Sequence, residues 1–563
     1  MLRVRRLGLV RYDEAMSLQR ALATRAVDDY LLVLEHPHVY TMGVRADPAH
    51  VLVDPATVGA TLVGTDRGGD VTYHGPGQLV LYPILTVPDE PSAGPVHVER
   101  LEQVVLDALG DLGVPDAVDG VGRLPGYPGI WLATNTEHPR KVGAVGVRTL
   151  RTPDGRRRTI HGVALNVDCD LSMFAHIVPC GLRELPVTSL AAEGVALGFE
   201  SVTGAVVDRA VERWGAEGVD RQAVATRRPG TPPDAGERPL LRRLRQAGVA
   251  TDAAVGLRER KPTWLRVPAR MGEDYRRLGR TIHDLGLVTV CEEAGCPNIY
   301  ECWAEGTATF MVNGDRCTRA CGFCLVDTRH PRPLDPTEPA RVAEAVARMR
   351  LAHAVVTCVA RDDLADGGAG AIAATVEGIR HRCPSTTIEV LVSDCKGDEG
   401  ALDAIFGVRP DIVNHNIETV ARLQRAVRPS AGYARSLAVL ARAADAGLTV
   451  KSGLMVGLGE TESEVVATLA DLRGVGVAIA TVGQYLRPSS AHLPVSRWWE
   501  PDEFERIGRA GRALGLAHIE SSPLTRSSYH ARDAAAASGV VAPSTNSALG
   551  VPVRLSGRAV AAR

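Results

Sequence analysis

The feature that most constrains this chain is the crowding of cysteine between positions 291 and 324. Six of its 11 cysteines fall there, as two successive triplets. The first, CEEAGCPNIYECW, spaces Cys291, Cys296 and Cys302 as C-x4-C-x5-C. The second, GDRCTRACGFC, spaces Cys317, Cys321 and Cys324 as C-x3-C-x2-C. Short loops at such spacings wrap several sulfurs around one metal or iron–sulfur centre. A disulfide framework suits a long chain without a secretory signal poorly. Zinc takes four nitrogen or sulfur ligands, and three plus three is an awkward count for it. Cluster binding is the reading that remains, and three thiolates leave one iron of a four-iron cluster open to a small molecule.

At 563 residues the chain is expected to form two or three domains. A hydrophobic content of 45% and a charged content of 23% are those of a globular protein with ample core. A net charge of -2 gives no reason to expect nucleic acid as a partner. No apolar run approaches membrane-spanning length, so no membrane role is expected. The opening MLRVRRLGLVRYDEAM breaks its apolar run too early for a signal peptide. Together with the cysteines, this points to the reducing cytoplasm. Of 64 basic residues only Lys141, Lys261, Lys396 and Lys451 are lysine. Where arginine serves every generic charge, a surviving lysine is a candidate for chemistry, because arginine does not give up its proton.

In the first half, Tyr12 to Val27 has helical spacing and Leu31–Leu34 suits a buried strand. The stretch RGGDVTYHGPGQLVLYP, from Arg67 to Pro83, has glycines that let backbone approach a ligand, though such loops are often only tight turns. Lys141 follows in RKVGAVGVR, then His161 in HGVALNV, then Cys180 in HIVPCGL. A lone cysteine in an apolar run is most often a small buried hydrophobe. Beside Pro179 and Gly181, however, a turn can expose it, and the half has one lysine to activate it for thioester chemistry. RGGDVTYHGPGQ, K-x-x-A-x-G, HG-x-ALNV and PCG followed by VTSL resemble, in this order, the lipoyl(octanoyl) transferase family. The resemblance implies an α/β fold shared with biotin and lipoate ligases. It implies transfer of octanoyl from octanoyl-acyl carrier protein to a lysine of a lipoyl domain. Cys180 would carry the acyl thioester, and Lys141 would activate it and serve as acid and base. Arg67, Gly68, Gly69, Asp70, Val71, Thr72, Tyr73 and His74 would line the acyl site, with Ala144, Val145, Gly146, Gly162, Val163 and Ala164. Val142-Gly143 stands where the family pattern has Ile-Ala, a small departure.

Residues 223–240 are rich in Pro, Gly and Arg without apolar periodicity and read as a linker; LLRRLRQAGVA, just after, is a short amphipathic stretch. Beyond the cysteines, strand candidates at 354–359, 387–394, 411–418, 449–457 and 480–486 alternate with helical segments. Successive β-α units of this length imply parallel strands with helical crossovers, whose active site lies at the strands' C-terminal ends. C-x3-C-x2-C with Phe323 before its last cysteine is similar to the radical S-adenosylmethionine (SAM) signature. The first triplet, with RDDLADGGA, NHNIETV, KSGLMVGLGET, GQYLRPS and RSSYHA, resembles lipoyl synthase. That family implies a partial (β/α) barrel, SAM and two [4Fe-4S] clusters. Cys317, Cys321 and Cys324 would hold one, and Cys291, Cys296, Cys302 and Ser528 the other, the sacrificed sulfur donor. Gly453 to Glu460 would contact SAM. Asn414, Glu418 and Arg428 are either ligand contacts or satisfied structural polar groups, while Cys169, Cys358, Cys383 and Cys395 read as ordinary buried cysteines.

The expectation is a two-domain α/β chain. Residues 1–222 would form the transferase, 223–240 the linker, 241–533 the radical SAM barrel and 534–563 a tail with no motif. It would octanoylate a lipoyl domain, of a 2-oxoacid dehydrogenase E2 subunit or the glycine cleavage H protein. It would then insert sulfur at C6 and C8, drawing on an electron donor. Two rival readings are a first half that only recruits the lipoyl domain, and a second half of another radical SAM sulfur-inserting kind. The cysteine pattern before the SAM motif, and RSSY, speak against the second rival.

Overall fold

The computed structural model describes residues 1–181, 185–225, 238–251, 254–266, 273–293, 296–304 and 307–539. Positions 226–237 of the expected linker and 540–563 of the expected tail lie outside the described residues. At the linker's ends, Ala223 closes the strand Val219–Ala223, and Pro239 opens the helix Pro239–Gln246, which is the short amphipathic stretch. The helix Ala531–Ala537 runs into the expected tail and buries Ala534 and Ala535 against Ile412 and Ile479.

The first half is built on a nine-stranded, mostly antiparallel sheet. Its central strand order is Leu2–Leu9, Asp29–Glu35, Gln78–Ile84, Arg157–Asn166 and Arg140–Arg151. In Gln78–Ile84 every residue is buried, and the period of two sends alternate side chains to opposite layers. Leu79 and Leu81 pack with Leu101, Val105 and Leu109 of the helix Ala93–Asp111, while Val80, Tyr82 and Ile84 pack with Leu18 and Leu22 of the helix Tyr12–Arg25. A second, three-stranded sheet is formed by Thr61–Gly64, Val39–Met42 and Val71–His74 in that order.

The second half is an eight-stranded sheet in sequence order, from Val288–Thr289 to His518–Ser521. It is parallel throughout, except that its first two strands run antiparallel. All five strand candidates fall on observed strands. Three more were not expected: the two-residue Val288–Thr289, and Thr307–Val312 and His518–Ser521, whose threonines, histidine and glutamate blur an apolar pattern. Ala354 and Val356 face the outer helices, and His353 and Glu389 face inward, so the barrel interior is partly polar. Among the described residues no helix is long and apolar enough to cross a membrane.

The two halves share one continuous apolar cluster. The Tyr12–Arg25 helix packs on Tyr433–Asp445, and Gly474 lies so close that a Cβ there would stand 2.9 Å from Leu22 Cδ2. Beside this contact, Arg5 Nε donates to both carboxylate oxygens of Asp471, at 2.9 and 2.7 Å, with each partner only 2% exposed. Tyr30 and Tyr433 donate their hydroxyls to the same carboxylate, at 3.2 and 2.9 Å. Nothing in the sequence pointed to this joint.

Candidate active sites

Cys180 sits in the turn Pro179–Gly181 with φ 55 and ψ 19, a left-handed conformation that a non-glycine residue holds only where its surroundings enforce it. Lys141, the second residue of Arg140–Arg151, donates from Nζ to Cys180 Sγ at 3.8 Å. The lysine is fixed on three sides. Its N–H donates to the Pro186 carbonyl, its carbonyl accepts from Thr188, and its ammonium lies 5.3 Å from the Trp131 ring centre. Gly129 (φ +136) lets the lysine chain pass, because a Cβ there would stand 2.6 Å from Lys141 Cε.

The pair faces a cavity of about 530 Å³. Of the fourteen residues expected to line it, twelve do: Arg67 to Asp70, Thr72, His74, Ala144 to Gly146, and Gly162 to Ala164. Val71 and Tyr73 do not. They alternate with Thr72 and His74 along Val71–His74 and point into a small core with Tyr40 and Phe174. Gly162 is required where it lies, since a Cβ would meet the Leu81 carbonyl oxygen at 1.9 Å. Arg67 is buried, donating to the Thr41 carbonyl and hydroxyl and to the Gly68 carbonyl, and burial lowers its pKa. His74 is held by Gln78 at 2.7 Å, and burial drives its pKa well down, so the ring is neutral.

Sequence reasoning missed four features of this site. Tyr12, from a helix without a motif, and Tyr82, near the end of the Arg67–Pro83 stretch but given no role, line the cavity. His161 was noted but given no role; it adopts φ 60 and pairs through Nε2 with Asp66 Oδ1 at 2.7 Å. His50 pairs with Asp70 at 2.6 Å, and that carboxylate lies 2.8 Å from where a Gly181 Cβ would stand, beside Cys180.

In the second half, the loop holding Cys317, Cys321 and Cys324 leaves the C-terminal end of Thr307–Val312. The loops after the later strands hold it. Thr318 bonds the Ala360 carbonyl, Gly322 the Val427 carbonyl, and His492 Nε2 lies 2.9 Å from the Cys324 carbonyl. Burial pushes the Cys324 thiol up to about 12, and the neighbouring Cys321 and Cys317 sulfurs push the same way. Burial likewise raises Cys321, against the pull of Arg428.

The first triplet lies where Val290–Glu293 and Ile299–Ala304 meet. Cys296 donates its N–H to the Cys291 carbonyl, Cys302 its N–H to Asn298, and residues 294–295 between are outside the described set. Cys291 and Cys296 face a cavity of about 720 Å³ with Lys261, Tyr275 and Tyr300. The turn bearing Ser528 closes against this segment. Asn298 donates to the Leu524 carbonyl at 2.8 Å, Tyr529 to Glu301 at 3.2 Å, and the Arg526 charge stands near Cys296.

Among the described residues no three Cys, His, Asp or Glu side chains close on a single-ion site. The fit of each triplet is therefore one of donor chemistry. None of the 11 cysteines forms a disulfide, and each triplet offers three thiols from one short segment, the donor set of an iron–sulfur cluster.

Beyond Thr449–Val456, Glu460 accepts three backbone N–H bonds, from Gly457, Leu458 and Gly459, which shapes the segment expected to contact SAM. Glu418 and Arg428 lie beside the Cys321 loop. Asn414 instead donates to Glu389 inside the barrel at 2.8 Å, where Lys451 Nζ also meets Glu389, at 2.9 Å. Burial alone would raise the Glu389 carboxyl, but Lys451, His353 and Asn414 together outweigh it and bring it down to about 2.

Fold and sites together define a chain that couples an acyl-transferring α/β domain to a radical SAM domain. Residues 11–210 match the lipoyl protein ligase A/B catalytic domain, 247–296 the N-terminal domain of lipoyl synthase, and 311–472 the radical SAM superfamily. The chain is 54% identical over 278 residues to the lipoyl synthase of Rubrobacter xylanophilus, covering 49% of this chain and 87% of that protein. With that of Acidothermus cellulolyticus it shares 53% over 273 residues, 48% of this chain and 84% of the other. The bi-partite lipoate protein ligase of Thermoplasma acidophilum, solved with its E2 lipoyl domain, shares 17% identity over 39% of this chain and 85% of that one (TM-score 0.32). Through its second half the chain belongs to the lipoyl synthase family. Its first half is a lipoate ligase/transferase catalytic domain, which makes it a bifunctional enzyme of lipoate biosynthesis that uses SAM and iron–sulfur chemistry.

Proposed function

We propose that the chain octanoylates a lysine of a lipoyl domain through Cys180 and then converts that octanoyl group to lipoyl. The observation that carries the reading is the Lys141 ammonium 3.8 Å from Cys180, at a cavity lined by the glycine-rich segment. Cys180 gives its thiol proton to Lys141, and the resulting thiolate attacks the octanoyl carbonyl of octanoyl-acyl carrier protein. The carrier sulfur leaves and takes that proton from Lys141. The incoming neutral lysine amine of the lipoyl domain then attacks the thioester, its proton passes to Lys141, and Cys180 leaves as thiolate, which restores the thiolate–ammonium pair. Lipoyl domains of 2-oxoacid dehydrogenase E2 subunits and the glycine cleavage H protein are the acceptors this chemistry suits.

In the second half, Cys317, Cys321 and Cys324 would hold one [4Fe-4S] cluster, and Cys291, Cys296, Cys302 and Ser528 a second. A cluster with SAM supplies carbon-radical chemistry, and a second cluster supplies sulfur. The residues around them would position these groups. Gly453 to Glu460, shaped by the Glu460 carboxylate, would contact SAM, and the turn that bears Ser528 closes against the first triplet. The cytoplasm, with its reducing electron donors, is the compartment that keeps such thiols free.

The test is the intact mass of an apo lipoyl domain, incubated anaerobically with reconstituted chain, octanoyl-acyl carrier protein, SAM and reductant. An octanoyl gain that converts to a lipoyl mass is the expected result. No acylation of either Cys180 or the domain would overturn the transfer step and leave a recruiting module in its place.

A further inference from the structure

The loop that carries Cys317, Cys321 and Cys324 also carries Arg319, and the partners of that arginine lead out of the second half altogether. Arg319, 7% exposed, donates to both oxygens of Asp362 at 2.8 Å and to Asp394 Oδ1 at 2.6 Å. Asp394 is fully buried, and its other oxygen lies 3.9 Å from Arg435 Nη1. Arg435, on Tyr433–Asp445, in turn donates from Nε to Glu14 Oε1 at 2.6 Å. Glu14 belongs to the first half. It is 6% exposed, on the same helix that brings Tyr12 to the acyl cavity. Gly397 is packed into this contact, since a Cβ there would stand 2.9 Å from Glu14 Oε1, and Arg11 donates to the Lys396 carbonyl alongside.

Four charges of alternating sign thus run from one half into the other: Glu14, Arg435, Asp394 and Arg319. Each of the inner two lies between two of the others, and the middle link, Arg435 to Asp394, is a charge contact at 3.9 Å without a hydrogen bond. A buried charge that loses one partner must find another or draw water in, so the positions of such groups are coupled. We propose that Glu14 of the acyl-transferring half is a positioning residue for the Cys317–Cys324 loop, acting through Arg435, Asp394 and Arg319. The proposal rests on the reading that this loop holds the cluster, and it deepens that reading. A fused partner domain would then help set the geometry of the radical site.

The test uses the full chain with Glu14→Gln, which keeps shape and removes charge, alongside Arg435→Gln and the double variant. Hydrogen exchange of peptides covering 315–327 is followed in the apo chain. Losing a charge-assisted hydrogen bond at the start of the relay should speed that exchange on the order of three- to tenfold. The double variant should be no faster than the larger single effect, since both act along one chain of contacts. In the reconstituted chain, the electron paramagnetic resonance signal of the reduced cluster should differ between wild type and Glu14→Gln when SAM is present. Octanoyl transfer should be unchanged. Unaltered exchange at 315–327 in both single variants, or effects that simply add, overturns the relay. If instead the wild-type chain with Cys317, Cys321 and Cys324 all intact binds no cluster at these residues, the cluster reading fails while the exchange result still decides the relay.

Discussion

The joint between the halves gives a prediction whose size can be worked from the structure. In Asp471→Ala, Arg5 loses a bidentate acceptor and the Tyr30 and Tyr433 hydroxyls lose theirs. Removing one partner of a buried ion pair costs about 3–5 kcal/mol. Arg5 keeps Asp220 at 2.7 Å, a residue 19% exposed, which favours the low end, about 3 kcal/mol. The two hydroxyls add roughly 1 kcal/mol each, which brings the whole to about 5 kcal/mol. At about 1.4 kcal/mol per tenfold, the ion-pair part alone weakens association of the halves more than about a hundredfold. The assay is a chain with a protease site placed in 226–237, cut after folding and run on gel filtration near micromolar concentration. Cut wild type should co-elute as one body, and cut Asp471→Ala should separate into two, each still able to perform its own step. Glu462→Ala serves as control, because its pair with Arg506 is 38% and 45% exposed and such contacts contribute under about 1 kcal/mol. If cut Asp471→Ala co-elutes as tightly as wild type, the buried cluster does not hold the halves together.

Lys141→Met should keep the packing on Trp131 yet lower octanoyl transfer roughly 10²- to 10⁴-fold, the range for loss of an acid–base group. Lys141→Arg should not rescue it, and sulfur insertion into a pre-octanoylated domain should be normal in both; equal loss of the two activities would count against the assignment. Ser528→Ala should still cleave SAM but fail to insert sulfur, read as 5′-deoxyadenosine without lipoyl mass, and normal insertion would refute a ligand role. Stability should fall on acidification in two windows. Burial holds His36, His97 and His415 down to about 4, so their contribution is full above an unfolded value of about 6.5 and is lost as pH falls toward about 4. Glu389, held at about 2 against its burial by Lys451, His353 and Asn414 together, contributes above about 4.5 and loses that contribution as pH falls toward 2. Urea midpoints measured from pH 8 to 4 check the first window, and a flat profile would contradict it.

Local patterns in the sequence carried much of this structure. Short apolar runs placed the buried strands, and the cysteine spacings marked the loop after Thr307–Val312. The scarcity of lysine picked out Lys141 and Lys451, both buried against specific partners. It did not distinguish Lys261 and Lys396, which are exposed. The period of two of a strand explains an overreach: a contiguous motif from Arg67 to His74 was assigned whole to the acyl site, yet a strand shows only alternate residues to one side, and Val71 and Tyr73 face away. What stayed hidden was set by contacts far apart in sequence. Arg5 and Asp471 are separated by 466 positions, and neither carries a local signature. The Tyr12–Arg25 helix reads as an ordinary surface helix of the first half, with acidic residues in its first turn as the helix dipole favours. Only the fold reveals that Tyr12 serves the acyl cavity while Glu14 meets the second half. A reading of two domains on a flexible linker makes handover a matter of effective concentration. With the halves docked through a buried charge cluster, the relation of the two sites is set instead by that shared helix and the surfaces it joins.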